Sequence, residues 1–141
     1  MVVDFHTGFW FRREGAGLIF GMRNPHEAES FDTSVDWGFL STLGEIALHR
    51  LPFMKSIGVI KAQAGLHSDT PDCNAILGKA PVIEGLYLAC GFSGHGFMHS
   101  PAVGRIMAEL ILEEKGLSLD ISPLSPTRFQ QGVPQIEKVF I

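Results

Sequence analysis

Apolar and polar positions change their period several times along this chain, and each change marks an element. Phe9-Trp10-Phe11-Arg12-Arg13 and Leu18-Ile19-Phe20-Gly21-Met22, joined by Glu14-Gly15-Ala16-Gly17, read as a β-hairpin with a glycine-containing turn. From Asp36 to Arg50 the residues Phe39, Leu40, Leu43, Ile46 and Ala47 recur at helical spacing, Asp36 stands where an N-cap belongs, and Pro52 lies just past the end. That spacing predicts an amphipathic helix. Ser56 to Leu66 alternates loosely through Val59, Ile60, Ala62, Ala64 and Leu66, which predicts a strand over Ile57 to Leu66. It leads into the polar loop His67-Ser68-Asp69-Thr70-Pro71-Asp72.

Asn74 to Gly78 is a short apolar piece, and Leu86-Tyr87-Leu88-Ala89-Cys90 reads as a fully buried strand. Gly91 to Gly96 interrupts this run. From Pro101 to Lys115, Val103, Ile106, Met107, Leu110 and Ile111 line one helical face, with Gly116 as the C-cap candidate. The tail after Ser118 carries Pro123, Pro126 and Pro134, which predicts an irregular segment ordered only where it docks. Strand, glycine-rich turn and helix thus follow in immediate succession around Gly91.

Composition narrows the function classes. A chain of 141 residues with 45% hydrophobic residues supports one sizeable core. Its net charge of -4 and its 11 Lys and Arg, spread without a basic run, offer no footing for nucleic acid or an anionic membrane surface. No apolar stretch approaches the roughly 20 residues of a membrane span, and Met1-Val2-Val3-Asp4 does not open a signal peptide, so a cytoplasmic protein is expected. Cys73 and Cys90 form no disulfide framework, and Cys90, ending an apolar run, reads as a buried thiol.

The candidate chemistry centres on Gly91-Phe92-Ser93-Gly94-His95-Gly96-Phe97. A helix N-terminus presents unpaired N–H groups and the positive end of the helix dipole, which suits an anion or a polarised carbonyl. The spacing is neither a dinucleotide G-x-G-x-x-G nor a phosphate loop, so these residues alone leave a ligand-holding turn and a plain tight connection both open. His95 and His99 stand four apart, but with no third ligand beside them no metal site is expected. Asp69 and Asp72 fit caps of the turn around Pro71 better than a catalytic pair. Arg12 and Arg13 read as solvated hairpin charges, and Arg23, leaving the second strand, is the best candidate for an anion contact.

The run Gly-Phe-Ser-Gly-His-Gly-Phe-Met-His-Ser-Pro-Ala-Val-Gly from Gly91, with Thr-Pro-Asp-Cys-Asn-Ala-Ile-Leu-Gly from Thr70 and Phe-Arg-Arg-Glu-Gly-Ala-Gly-Leu-Ile-Phe-Gly from Phe11, carries a resemblance. It resembles the C-terminal half of the D-amino-acid oxidase family of FAD-dependent amine and amino-acid oxidoreductases, of sarcosine oxidase, glycine oxidase and dye-linked proline dehydrogenase type. The resemblance implies a flavin contact by Gly91, Phe92, Ser93, Gly94, His95, Gly96, Phe97 and Met98. His95 and His67 are the candidate catalytic residues, the alternatives being a His95 that only orients the turn through a backbone hydrogen bond and a solvated loop His67, and His67, Arg23 and Met98 are the candidate substrate contacts. His67 stands where amino-acid oxidases carry an Arg and sarcosine oxidase a Tyr, and Met98 where monomeric sarcosine oxidase carries a Lys. Two familiar carboxylate anchors are thereby replaced. Ile19 stands near the position of an oxygen-activating Lys, which favours a dehydrogenase, and Gly65 stands where a covalently flavinylated Cys would be, which implies non-covalent FAD.

The fold implied is α+β: a mostly antiparallel sheet with a covering helix and an active-site loop over residues 1–85, a strand–turn–helix unit completing the FAD domain over 86–117, and a tail over 118–141. The family's dinucleotide-binding half is not among these residues, so a fragment of a two-domain flavoenzyme is expected, oxidising the C–N bond of a small amine by hydride transfer. Its partners would be the amine, the missing half or a partner subunit, and further copies of itself. The alternative is a flavin-free remnant or an interaction subunit without activity of its own.

Overall fold

The computed structural model of the chain describes residues 1–113, 118–130 and 132. The fold divides into two compact units that part between Leu66 and His67.

In the first unit, β1 (Val2–Asp4), β2 (Phe9–Glu14) and β3 (Gly17–Gly21) form an antiparallel sheet in the order β1-β2-β3. The predicted hairpin is present, with Glu14 opposite Gly17 and Trp10 opposite Gly21. Phe9 is 1% exposed, and its ring lies 6.0 Å from that of Phe11 and 5.9 Å from that of Phe20. Burying such a ring contributes about 2–3 kcal/mol. Helix α1 (Trp37–Arg50) begins where the sequence places it, because the Asp36 carboxylate accepts the amides of Gly38 at 2.8 Å and Phe39 at 3.2 Å, a cap worth about 1 kcal/mol. Ala47 is the buried residue of this helix, and α1 packs on β2. At the helix end, Arg50 closes on Asp4 of β1 through an ion pair of 2.6 Å.

Between Ile57 and Asp69 no strand forms among the described residues, and most of the segment is exposed. The alternation of Val59, Ile60, Ala62, Ala64 and Leu66 tells which side chains would share a face. A strand also needs a neighbour for its backbone N–H and C=O groups, and alternation does not supply one.

The second unit holds β4 (Ile76–Lys79) and β5 (Tyr87–Cys90), an antiparallel pair with Ile76 opposite Cys90, and helix α2 (Gly96–Glu113), which packs on both strands. Its core is small: Leu77 and Ile106 are its buried apolar residues among those described. Strand β5 is not fully buried, since Tyr87 and Leu88 are half-buried and Ala89 and Cys90 exposed. A two-stranded sheet backed by a single helix lacks the layers that bury both faces. The Cys90 thiol is accordingly exposed, and both cysteines are free.

Helix α2 starts five residues before Pro101. Pro101 has no N–H for the Phe97 carbonyl, and the Ser100 hydroxyl donates to that oxygen instead at 2.8 Å. Lys115, Gly116 and Pro134 lie outside the described residues. The tail docks through single-turn 3-10 helices over Ser122–Leu124 and Arg128–Gln130. Gly78, at φ +145°, has no room for a side chain, because a Cβ there would come within 2.9 Å of Pro126 Cδ. No described helix is long and apolar enough to cross a membrane.

Candidate functional site

The connection from β5 to α2 is a tight turn built on left-handed backbone. Gly91 (φ +68°), Ser93 (φ +48°) and Gly94 (φ +89°) are all left-handed, with Phe92 between the first two. A Cβ on Gly91 would overlap the Thr70 methyl, so glycine is needed there for both angle and space. Ser93 tolerates its sparsely populated conformation while 2% exposed, with its amide donating to the Ser68 carbonyl at 3.1 Å. The loop before β4 thus braces the turn from beneath at two points, Thr70 under Gly91 and Ser68 under Ser93.

The His95 amide donates to Phe92 O at 2.9 Å, and the His95 carbonyl accepts the first helical bond from the His99 amide at 3.2 Å. His95 therefore occupies the N-cap position, and the amides of Gly96, Phe97 and Met98 have no acceptor within the helix. The first turn of α2 carries no acidic residue. Phe97 is 94% exposed and Met98 54% exposed, so the helix start presents N–H groups flanked by apolar side chains. The rings of His95 and His99 stand 5.8 Å apart, and no group of three metal-ligating side chains occurs among the described residues.

His67 opens the same unit, with Nδ1 3.8 Å from an Asp69 carboxylate oxygen. Arg23 belongs to the first unit, two residues beyond β3. Arg12 pairs with Glu14 at 2.9 Å, and Arg13 donates to the Gly15 carbonyl at 3.0 Å, so both serve the hairpin locally.

Asp72 does more than cap its turn. It accepts the Asn74 amide at 3.2 Å and the Thr70 hydroxyl at 3.0 Å, and it also holds Arg128 in a two-pronged ion pair of 2.8 and 2.9 Å. Both partners are buried, Asp72 at 1% and Arg128 at 6% exposure. Arg128 lies 56 residues downstream, and no local pattern announces such a pair. The Arg128 hydrogen bonds, helped by the Asn74 amide and the Thr70 hydroxyl and opposed by burial, lower the Asp72 pKa to about 2. The folded value lies below the unfolded one, so this stabilisation is complete above about pH 4 and is lost as pH falls toward 2. Urea midpoints are expected to hold steady from neutral pH to about 4.5 and fall below it. Asp72→Asn is expected to be less stable at neutral pH, with a shallower acid decline.

A model of the DAO family, FAD-dependent oxidoreductases, matches residues 1–110. The chain belongs to this family. It is 39% identical over 145 aligned residues to FAD-dependent oxidoreductase domain-containing protein 1 of Xenopus laevis, covering 98% of this chain and 29% of that protein. With human peroxisomal sarcosine oxidase the identity is 30% over 106 residues, covering 75% of this chain and 27% of the relative. The crystal structure of L-proline dehydrogenase from P. horikoshii superimposes with a TM-score of 0.85 at 31% identity, over 97% of this chain and 36% of that one. The chain therefore spans less than a third of the length of these two curated relatives, and it has the fold of the corresponding part of that L-proline dehydrogenase.

The β5–α2 turn fits the cofactor named by the family. An electron-rich flavin edge calls for neutral or positive donors without a competing carboxylate. The helix start offers backbone amides that have no acceptor within the helix, and its first turn has no acidic side chain.

Proposed function

We propose that Gly91, Phe92, Ser93, Gly94, His95, Gly96, Phe97 and Met98 form the flavin-facing turn of an FAD-dependent oxidoreductase that acts on the C–N bond of a small secondary or tertiary amine or amino acid. The observation that carries this reading is the start of α2, whose first amides have no acceptor within the helix and whose first turn has no acidic residue. If bound, FAD would supply the acceptor for the hydride, with its two electrons, that leaves the carbon next to nitrogen. The amides of Gly96, Phe97 and Met98 would be the donors held toward the ring and would favour negative charge on it, without rearrangement because α2 holds them in place.

His95 and His67 are the side chains assigned to proton exchange in the site. Within the second unit, His67 would offer hydrogen bonds to the substrate, and Met98 would offer it an apolar surface. The names of the relatives, sarcosine oxidase and L-proline dehydrogenase, support a substrate of sarcosine or proline type.

Quenching of flavin fluorescence tests the reading. FAD, FMN and riboflavin are expected to bind the purified chain with similar affinity, and ADP is expected not to compete, because the proposed contacts are all to the ring. Competition by ADP, or failure of riboflavin to bind, contradicts it. Sarcosine, glycine or proline is expected to perturb the bound-flavin spectrum, and 2-hydroxy acids are not; the reverse would overturn the substrate class.

We infer in addition that the chain associates through its apolar surface with the dinucleotide-binding half, a partner subunit or further copies of itself. Phe31, Ile60, Val82, Phe97 and Leu112 are each more than 80% exposed. Light scattering at several concentrations is expected to show a mass that rises with concentration, and a constant monomer mass contradicts the inference for the isolated chain.

A further inference from the structure

We propose that Arg128 is a positioning residue for the flavin-facing turn, acting from the tail through Asp72 and Thr70 upon Gly91. The proposal rests on the functional reading of that turn. Arg128 engages the Asp72 carboxylate through Nε and Nη2, the Asn74 carbonyl through Nη2 at 2.8 Å, and the Leu124 and Ser125 carbonyls through Nη1 at 3.1 and 3.3 Å. One buried guanidinium thereby ties the tail to the loop before β4. On that loop the Thr70 hydroxyl is held between Asp72 Oδ1 at 3.0 Å and the Asn74 carbonyl at 2.8 Å.

Threonine is branched at Cβ, so a single torsion sets its hydroxyl and its methyl together. With the hydroxyl fixed on the two acceptors that Arg128 also holds, the methyl is fixed against Gly91, in the space a Cβ would need there. Two residues on, the Ser93 amide rests on the Ser68 carbonyl of the same loop. The turn therefore lies on a floor whose far side is clamped by Arg128. Arg128 is itself buried among protein groups, so it acts by holding the turn and takes no part in the chemistry.

The test is hydrogen exchange of the cofactor-free chain together with flavin affinity. Three variants separate the links: Arg128→Lys keeps the charge and loses the two-pronged grip, Thr70→Val keeps the methyl and loses the hydroxyl, and Thr70→Ser keeps the hydroxyl and loses the methyl. Arg128→Lys and Thr70→Val are expected to speed exchange about tenfold or more both in the loop 68–78 and in the turn 91–98. Thr70→Ser is expected to speed the turn while leaving the loop unchanged. Amides of α1 serve as the internal control, and all three variants are expected to weaken riboflavin and FAD binding by similar factors.

If Arg128→Lys loosens the loop and tail while exchange at 91–98 stays at the wild-type rate, the proposal is overturned. If Arg128→Lys unfolds the second unit outright, Thr70→Ser decides, and an unchanged turn in that variant overturns it equally. A wild-type chain that binds no flavin defeats the functional reading alone, because the exchange rates still report whether Arg128 holds the turn.

Discussion

Arg128→Met is expected to destabilise the second unit by about 3–5 kcal/mol, the usual effect of leaving one member of a buried ion pair without its partner. Asp72 would keep the Asn74 amide and the Thr70 hydroxyl, two neutral donors in place of a guanidinium. The carbonyls of Asn74, Leu124 and Ser125 would lose a donor as well. Urea denaturation of the variant checks the magnitude. In the double variant with Asp72→Leu the buried charge is gone, so the loss is expected to fall short of the sum of the two single losses by more than about 1 kcal/mol. Strict additivity would mean that the pair is not coupled as its geometry indicates.

Gly91→Ala is the second large expected effect. The left-handed conformation costs an alanine about 1–2 kcal/mol, and forcing a methyl into the space of the Thr70 methyl adds about 1–3 kcal/mol. Together these predict a loss of about 3 kcal/mol, measured by urea or thermal denaturation, and a turn displaced from the position that presents its amides. Adding Thr70→Ser relieves the overlap and leaves the backbone strain, so the pair is expected to recover about half of the loss. Full recovery would show that backbone conformation at Gly91 contributes nothing, and no recovery would show that the crowding is elsewhere.

Much of the architecture is legible along the chain, for identifiable reasons. The hairpin and α1 carry their own punctuation, a glycine-containing turn in one case and the Asp36 cap with Pro52 in the other. Strand β1 spans three residues, too few for alternation to register, and is defined by its pairing with Phe9 to Phe11 of β2. The segment from Ile57 to Leu66 shows the opposite case, a strand-like pattern without a partner to complete it.

Around the site, the strand–turn–helix order was legible from the glycines, but Pro101 hid the first turn of α2 because the Ser100 hydroxyl that compensates for it leaves no periodic signal. Thr70 and Asp72 read as ordinary turn residues. Their joint role depends on Arg128, which only the folded tail brings to them. Local chemistry therefore revealed where the backbone offers its amides, and long-range contact revealed what holds them there.

Visible absorption after incubation with FAD and gel filtration asks most directly whether the β5–α2 turn holds a flavin. The purified wild-type chain is predicted to retain an absorption band near 450 nm, a wavelength characteristic of flavins. Gly91→Ala, under conditions where circular dichroism shows it folded, is predicted to emerge with little or none. A wild-type chain that emerges colourless, or a folded Gly91→Ala variant that keeps as much flavin as the wild type, would contradict the assignment of the turn.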